Sequence, residues 1–89
     1  MQEMKSLAFK TPLTDSENKA LKRELSAKIA HNIKTARINS SRTQQDIAEK
    51  AGLHLTYIGH LEAGKYHPST FVLWKLAKVL DVDIDSLTD

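Results

Sequence analysis

The chain has 89 residues, no cysteine and a formal net charge of only +2. That length allows one small domain and excludes a substrate domain beside a cofactor domain. Without thiols there are no disulfide staples and no thiolate metal sites, and no apolar run approaches the roughly 20 residues needed to cross a bilayer.

Residues 1 to about 19 are aperiodic, with Pro12 as a breaker, and read as a flexible N-terminal arm ahead of a domain over 20–89. They lack the long apolar segment of a secretory signal, so a cytoplasmic protein is expected. Thr14-Asp15-Ser16-Glu17 has the Ser/Thr-x-x-Glu form of a capping box, which places a helix start nearby. Leu21, Leu25, Ile29 and Ile33 then recur every four residues, with Ala36 one step on, and predict one apolar stripe on a long helix ending near Asn39-Ser40-Ser41. The charge along the chain is uneven. Between Lys19 and Arg42, Lys19, Lys22, Arg23, Lys28, Lys34, Arg37 and Arg42 are opposed by Glu24 alone, whereas Asp81, Asp83, Asp85 and Asp89 make the chain end acidic. One basic side suits a polyanion approached from one direction.

Thr43 stands three residues before Asp46 and predicts the cap of a second helix through about Ala51, with Ile47, Ala48 and Ala51 turned inward. Gly52 breaks it. A third helix follows from about Leu55 to Glu62, with Ile58 and Leu61 on one side and Gly64 as its terminator. Lys65-Tyr66-His67-Pro68 leads to Ser69, the cap of a fourth helix with Leu73, Leu76, Ala77 and Leu80 at core spacing. Asp83 is placed as the cap of a final turn holding Ile84 and Leu87. No segment alternates like a strand, so the expected fold is all-α with five helices.

The function-bearing stretch is Gln44 to Ala63. Two short helices cross closely when a small residue lies at the contact, which Ala48 supplies, and the sharp link favours a residue that tolerates positive φ, which Gly52 supplies. His54, Leu55, Thr56, Gly59 and His60 are then left outward on the second of the pair. A wide major groove admits such a helix.

This pattern resembles the helix-turn-helix domains of phage repressors and Cro proteins over roughly Ala27 to Leu87. The matching features are Thr43-Gln44, Ala48, Gly52, Tyr57-Ile58, Leu61-Glu62, Gly64, Pro68-Ser69, Lys75-Leu76-Ala77 and Leu80-Asp81-Val82. The resemblance implies a compact five-helix bundle of the lambda-repressor-like type that binds double-stranded DNA. It assigns Gln44 to a backbone phosphate at a helix N-terminus, and Leu55, Thr56 and His60 to base edges, with His54 and Gly59 on the same reading surface. It pairs Arg37 with Glu62 as a structural ion pair. Arg42, Thr43, Tyr57, Lys65 and Tyr66, with His67 beside them, flank the motif as phosphate contacts. The reading face carries no Arg, Gln or Asn, so the firmest bidentate contacts to guanine and adenine are missing and DNA shape and water gain weight.

Other chemistry is weak. Gly59 to Tyr66 falls one residue short of a phosphate-binding P-loop, with Tyr66 where a Ser or Thr would hold magnesium and no strand before it. The four histidines share no i, i+3 or i, i+4 spacing, so no metal is expected, and no nucleophile–base pair points to an enzyme. No cofactor is implied. Trp74, with Phe71, Val72 and Val79, lies beyond the core stripe of the fourth helix and either completes the core or forms an interface. The interface reading is preferred, with Trp74, Ile84 and Leu87 as its residues.

The sequence therefore points to a sequence-specific regulator, a repressor binding an inverted repeat as a homodimer. Two alternatives stay open. One is an antitoxin that autoregulates its operon and meets a toxin partner through the N-terminal arm. The other is the controller protein of a restriction–modification system, which His54-Leu55-Thr56-Tyr57-Ile58-Gly59 resembles. A non-DNA alternative keeps the fold as a protein-interaction module built on Trp74.

Overall fold

The computed structural model describes residues 12–89. Five helices follow in order: α1 (Asp15–Asn39), α2 (Gln44–Ala51), α3 (Leu55–Glu62), α4 (Thr70–Leu80) and α5 (Asp85–Thr88). Three of the starts are fixed by the expected caps. The Thr14 hydroxyl accepts from the Glu17 N–H at 3.1 Å while the Thr14 N–H donates to Glu17 Oε1 at 2.8 Å, a complete capping box. Thr43 accepts from the Asp46 N–H and Ser69 from the Val72 N–H, each closing one orphan donor of a first turn.

The first four helices end in one device. In each, an N–H two or three residues past the helix returns to the carbonyl five residues earlier: Arg42 to Arg37, Leu53 to Ala48, Lys65 to His60 and Val82 to Ala77. The turn needs a left-handed residue, and Gly52 (φ 68°) and Gly64 (φ 77°) supply it without steric cost. Ser41 (φ 59°) and Asp81 (φ 57°) fill the same role at the ends of α1 and α4. For them a Cβ crowds the backbone at a cost of about 1–2 kcal/mol.

The core lies between α1, α2, α3 and α4, with α5 closing the end against α1. Ile33, Ile47, Ile58, Leu76 and Leu87 are each fully buried, and Ala48 at 2% exposure lets α2 and α3 approach. The small side chains matter here because interiors are packed to crystal density, and a larger residue at Ala48 would force the helices apart.

Three expectations are corrected. The expected arm over residues 1–19 overlaps α1, which begins at Asp15 because the capping box sets its first turn there; residues 1–11 of that arm lie outside the described residues. The apolar stripe of α1 is buried only from Ser26 onward: Leu21 is 54% exposed and Leu25 38%. A 25-residue helix is about 37 Å long at 1.5 Å per residue, and the molecule measures 45 × 26 × 19 Å, so the first half of α1 stands clear of the other helices. Finally, Asp83 does not cap α5 with its side chain. Ile84 occupies that position without a side-chain cap, and Asp83 contributes only its carbonyl, which accepts from the Ser86 N–H at 2.9 Å.

Candidate nucleic-acid interface

Gly52 turns the chain so that α3 crosses α2 and buries Ile58 and Leu61. Helical spacing then fixes what faces outward. Leu55 is 47% exposed, His54 and Thr56 are exposed, and Gly59 and His60 are half-buried along the same side. His54 is the residue before the first turn, in extended backbone, and its side chain makes no capping bond. The five residues expected to read bases are thus brought onto one accessible surface.

The orientation of that surface is set at the other end of α3. Glu62 is almost wholly buried, and its carboxylate receives three hydrogen bonds: Arg37 Nε at 2.7 Å, Arg37 Nη2 at 3.0 Å and Gln44 Nε2 at 3.0 Å. The fork-to-fork geometry with Arg37 is the strong form of a charge-assisted pair. Arg37 Nη1 also donates to the Arg42 carbonyl at 3.0 Å. One carboxylate therefore fastens α1, the start of α2 and the end of α3 together. The Glu62 hydrogen bonds hold the Arg37 guanidinium above its ordinary value, against a smaller opposing effect of burial.

Gln44 opens α2, as expected, but its amide nitrogen already serves Glu62. Its carbonyl Oε1 lies 4.0 Å from where a Cβ on Gly59 would stand, so an alanine there would make ordinary van der Waals contact. Gly59 is therefore not required by the protein's own packing.

The flanking residues assemble into an aromatic edge. The Tyr57 and Tyr66 rings stack with centroids 5.7 Å apart, and His60 meets Tyr66 edge-on at 5.2 Å. Burial, and to a lesser extent the Tyr66 phenol, push the Tyr57 hydroxyl above its usual range, so it stays a neutral donor. Lys65 and Tyr66 are exposed beside this edge. Arg42 is half-buried and lies 3.7 Å from Asp46, which also meets Lys50 at 3.4 Å. His67 turns toward α1, where its Nδ1 shares a 2.9 Å hydrogen bond with the buried Ser26 hydroxyl.

The expected interface residues separate. Trp74 is 52% exposed and its neighbour Phe71 70%. Ile84 is half-buried beside Trp74 in a shared cleft. Leu87 cannot belong to a free surface, because it is fully buried. The reason is that α5 folds back on α1, where Asn32 Nδ2 donates to the carbonyls of Leu87 and Asp89, both at 3.1 Å. Among the described residues no His, Cys, Asp or Glu cluster could hold a metal ion, and no helix is long and apolar enough to cross a membrane.

Comparison with known proteins agrees with this geometry. Residues 33–87 match the helix-turn-helix family, and the chain belongs to it. Over 55 residues it is 36% identical to an uncharacterized HTH-type transcriptional regulator of Archaeoglobus fulgidus, covering 62% of this chain and 79% of that one. Among solved structures it is similar to the restriction–modification controller protein C.AhdI from Aeromonas hydrophila, with TM-score 0.67, 27% identity and coverage of 70% and 94% of the two chains. A second controller protein, C.Esp1396I, gives TM-score 0.64 and 32% identity over 66% and 78%. A hypothetical transcription factor from Neisseria, NHTF, gives TM-score 0.71 and 25% identity over 93% and 88%. The chain is a non-enzymatic helix-turn-helix transcriptional regulator that binds DNA.

Proposed function

We propose that this regulator is a repressor that binds an inverted-repeat operator as a homodimer, with α3 reading each half-site in the major groove. The observation that carries this is the accessible row Leu55, Thr56, Gly59 and His60 on a helix clamped by Glu62. Leu55 offers apolar contact to a thymine methyl, while Thr56 and His60 hydrogen-bond base edges. His54 extends the same surface. Thr43, Gln44 and Arg42, at the start of α2, and Tyr57, Lys65 and Tyr66, along the aromatic edge, meet phosphates beside the reading helix. Because the Gln44 amide nitrogen shares one hydrogen with Glu62, its phosphate contact uses the second hydrogen or the backbone N–H that opens α2.

The dimer would form through Trp74 and Ile84, which line a cleft of about 690 Å³ between α4 and α5. Two-fold symmetry would then set the reading helices about 34 Å apart, one turn of DNA. The controller-protein reading is supported by the similarity to two such proteins and differs only in the genes served. No observation supports a toxin partner, whose proposed surface on the arm falls mainly within residues 1–11.

Selection of binding sites from random duplexes tests the proposal and should return a palindrome. Thr56→Ala or His60→Ala should relax preference at particular base pairs, each by less than the roughly 1–3 kcal/mol of a bidentate contact. Gln44→Ala should weaken all duplexes about equally. Equal loss on every sequence from all three changes would refute the assigned roles.

A further inference from the structure

The part of α1 that stands clear of the core gathers its three cations on one face. Lys19, Lys22, Arg23 and Ser26 follow the i, i+3, i+4, i+7 spacing of a single helical face. Ser26 is the point where that face meets the body of the protein, through its hydrogen bond to His67. The loop after the reading helix lies alongside, because Gly64 sits against Ala27 and Ala30 of α1. The result is an open groove of about 500 Å³ with Lys19, Lys22 and Arg23 on one wall and Lys65 and Tyr66 on the other. No carboxylate lines it. None of its four cations forms a salt bridge with a described carboxylate; of the acids next to them in sequence, Glu17 is bound up in the capping box and Glu24 does not line the groove.

Four like charges around one groove repel one another unless a polyanion fills it. The groove is not separate from the reading surface, because Tyr66 forms part of its wall and also stacks on Tyr57 and touches His60. The positive surface therefore runs without a break from the end of α3 across the loop onto α1. Resting on the DNA-binding reading above, we infer that the free half of α1 is a second DNA-contacting element, which tracks the sugar–phosphate backbone on the flank of the half-site beyond the bases that α3 reads. Residues 15–25 span about 16 Å along the helix axis, enough to accompany several successive phosphates. They add affinity and register without base preference, since phosphates carry no sequence information. Duplex DNA is favoured over other polyanions by this continuity with the reading helix.

The test uses the full chain and a triple variant, Lys19→Ala, Lys22→Ala and Arg23→Ala. All three positions are exposed and alanine favours helix, so the fold is retained, which circular dichroism verifies. Binding to a selected duplex with at least ten flanking base pairs on each side is followed against salt, with hydroxyl-radical footprints of both proteins. The slope of log K against log salt should fall in magnitude by about 2–3, near 0.9 for each lost phosphate contact. Protection should shrink on the outer flank only, with base preference unchanged. A control, Lys50→Ala, Lys75→Ala and Lys78→Ala, removes equal charge from α2 and α4 and should leave the footprint as it is. If the wild-type chain binds duplex but the variant keeps its slope and footprint, or matches the control, the α1 proposal fails and the reading of α3 stands. A wild-type chain that binds no duplex at low salt overturns both.

Discussion

The two halves of α1 carry the same four-residue apolar repeat and live in different environments. Ile29 and Ile33 are 2% and 0% exposed, whereas Leu21 and Leu25, two turns and one turn before Ile29, are 54% and 38% exposed. The helix is continuous through both halves. What differs is what lies opposite: other helices cover the apolar stripe from Ile29 onward, whereas every described residue before Ser26 is exposed. Periodicity reports which residues share a face. It does not report whether that face is covered.

The largest expected effect sharpens this contrast. Ile33→Ala should destabilise the protein by about 2–5 kcal/mol, since it leaves a cavity in a closed core. The same kind of truncation at Leu21 should stay within about 0.5 kcal/mol. Urea melts of the two variants decide the matter, and comparable losses would mean that the first half of α1 is buried in solution.

Next comes Glu62→Ala, which strands the Arg37 guanidinium at 14% side-chain exposure with no carboxylate partner. Breaking a buried pair from one side costs about 3–5 kcal/mol, and the lower end is expected because Arg37 retains some water. By contrast Glu17→Ala, in the fully exposed capping box, should only fray the first turn, seen as faster amide exchange near Asp15–Asn18. The Thr14 backbone hydrogen bond, with a smaller contribution from its hydroxyl, holds the Glu17 carboxyl below its usual range. A lowered folded value means the cap's contribution is complete above the unfolded carboxylate range and fades as pH falls through the folded one. Fraying should therefore grow in acid and be absent near neutrality.

A smaller effect of opposite sign separates stability from reading. Gly59→Ala should stabilise the protein by about 1 kcal/mol, since helix propensity improves and the new methyl meets only an ordinary contact at Gln44. If the same change weakens operator binding, Gly59 is needed for close approach to DNA. Unchanged binding would make it a tolerated glycine.

Much of this architecture was legible in the sequence because it rests on local chemistry. Thr14, Thr43 and Ser69 are caps within three residues of their partners, and Gly52 and Gly64 mark left-handed turns. The ends of α1 and α4 use Ser41 and Asp81 for the same turn, and those residue types do not advertise it. The pairing of Arg37 with Glu62 was available only through family resemblance. The features that stayed hidden join distant segments: Gln44 to Glu62, Ser26 to His67, Asn32 to the last carbonyls and Tyr57 to Tyr66. Sequence alone reads Leu87 as an interface residue because a terminal apolar residue offers no local sign of the helix it will pack against. Its burial depends on α1, more than fifty residues earlier.

The most direct test of the central claim is a titration of the isotopically labelled chain with a selected duplex, following each backbone amide by NMR. The largest shifts should fall on Leu55 to His60 and on Thr43 and Gln44, with Lys65 and Tyr66 next and the α4 face around Trp74 little moved once dimerisation is complete. A titration that perturbs α4 and leaves α3 untouched would contradict the account.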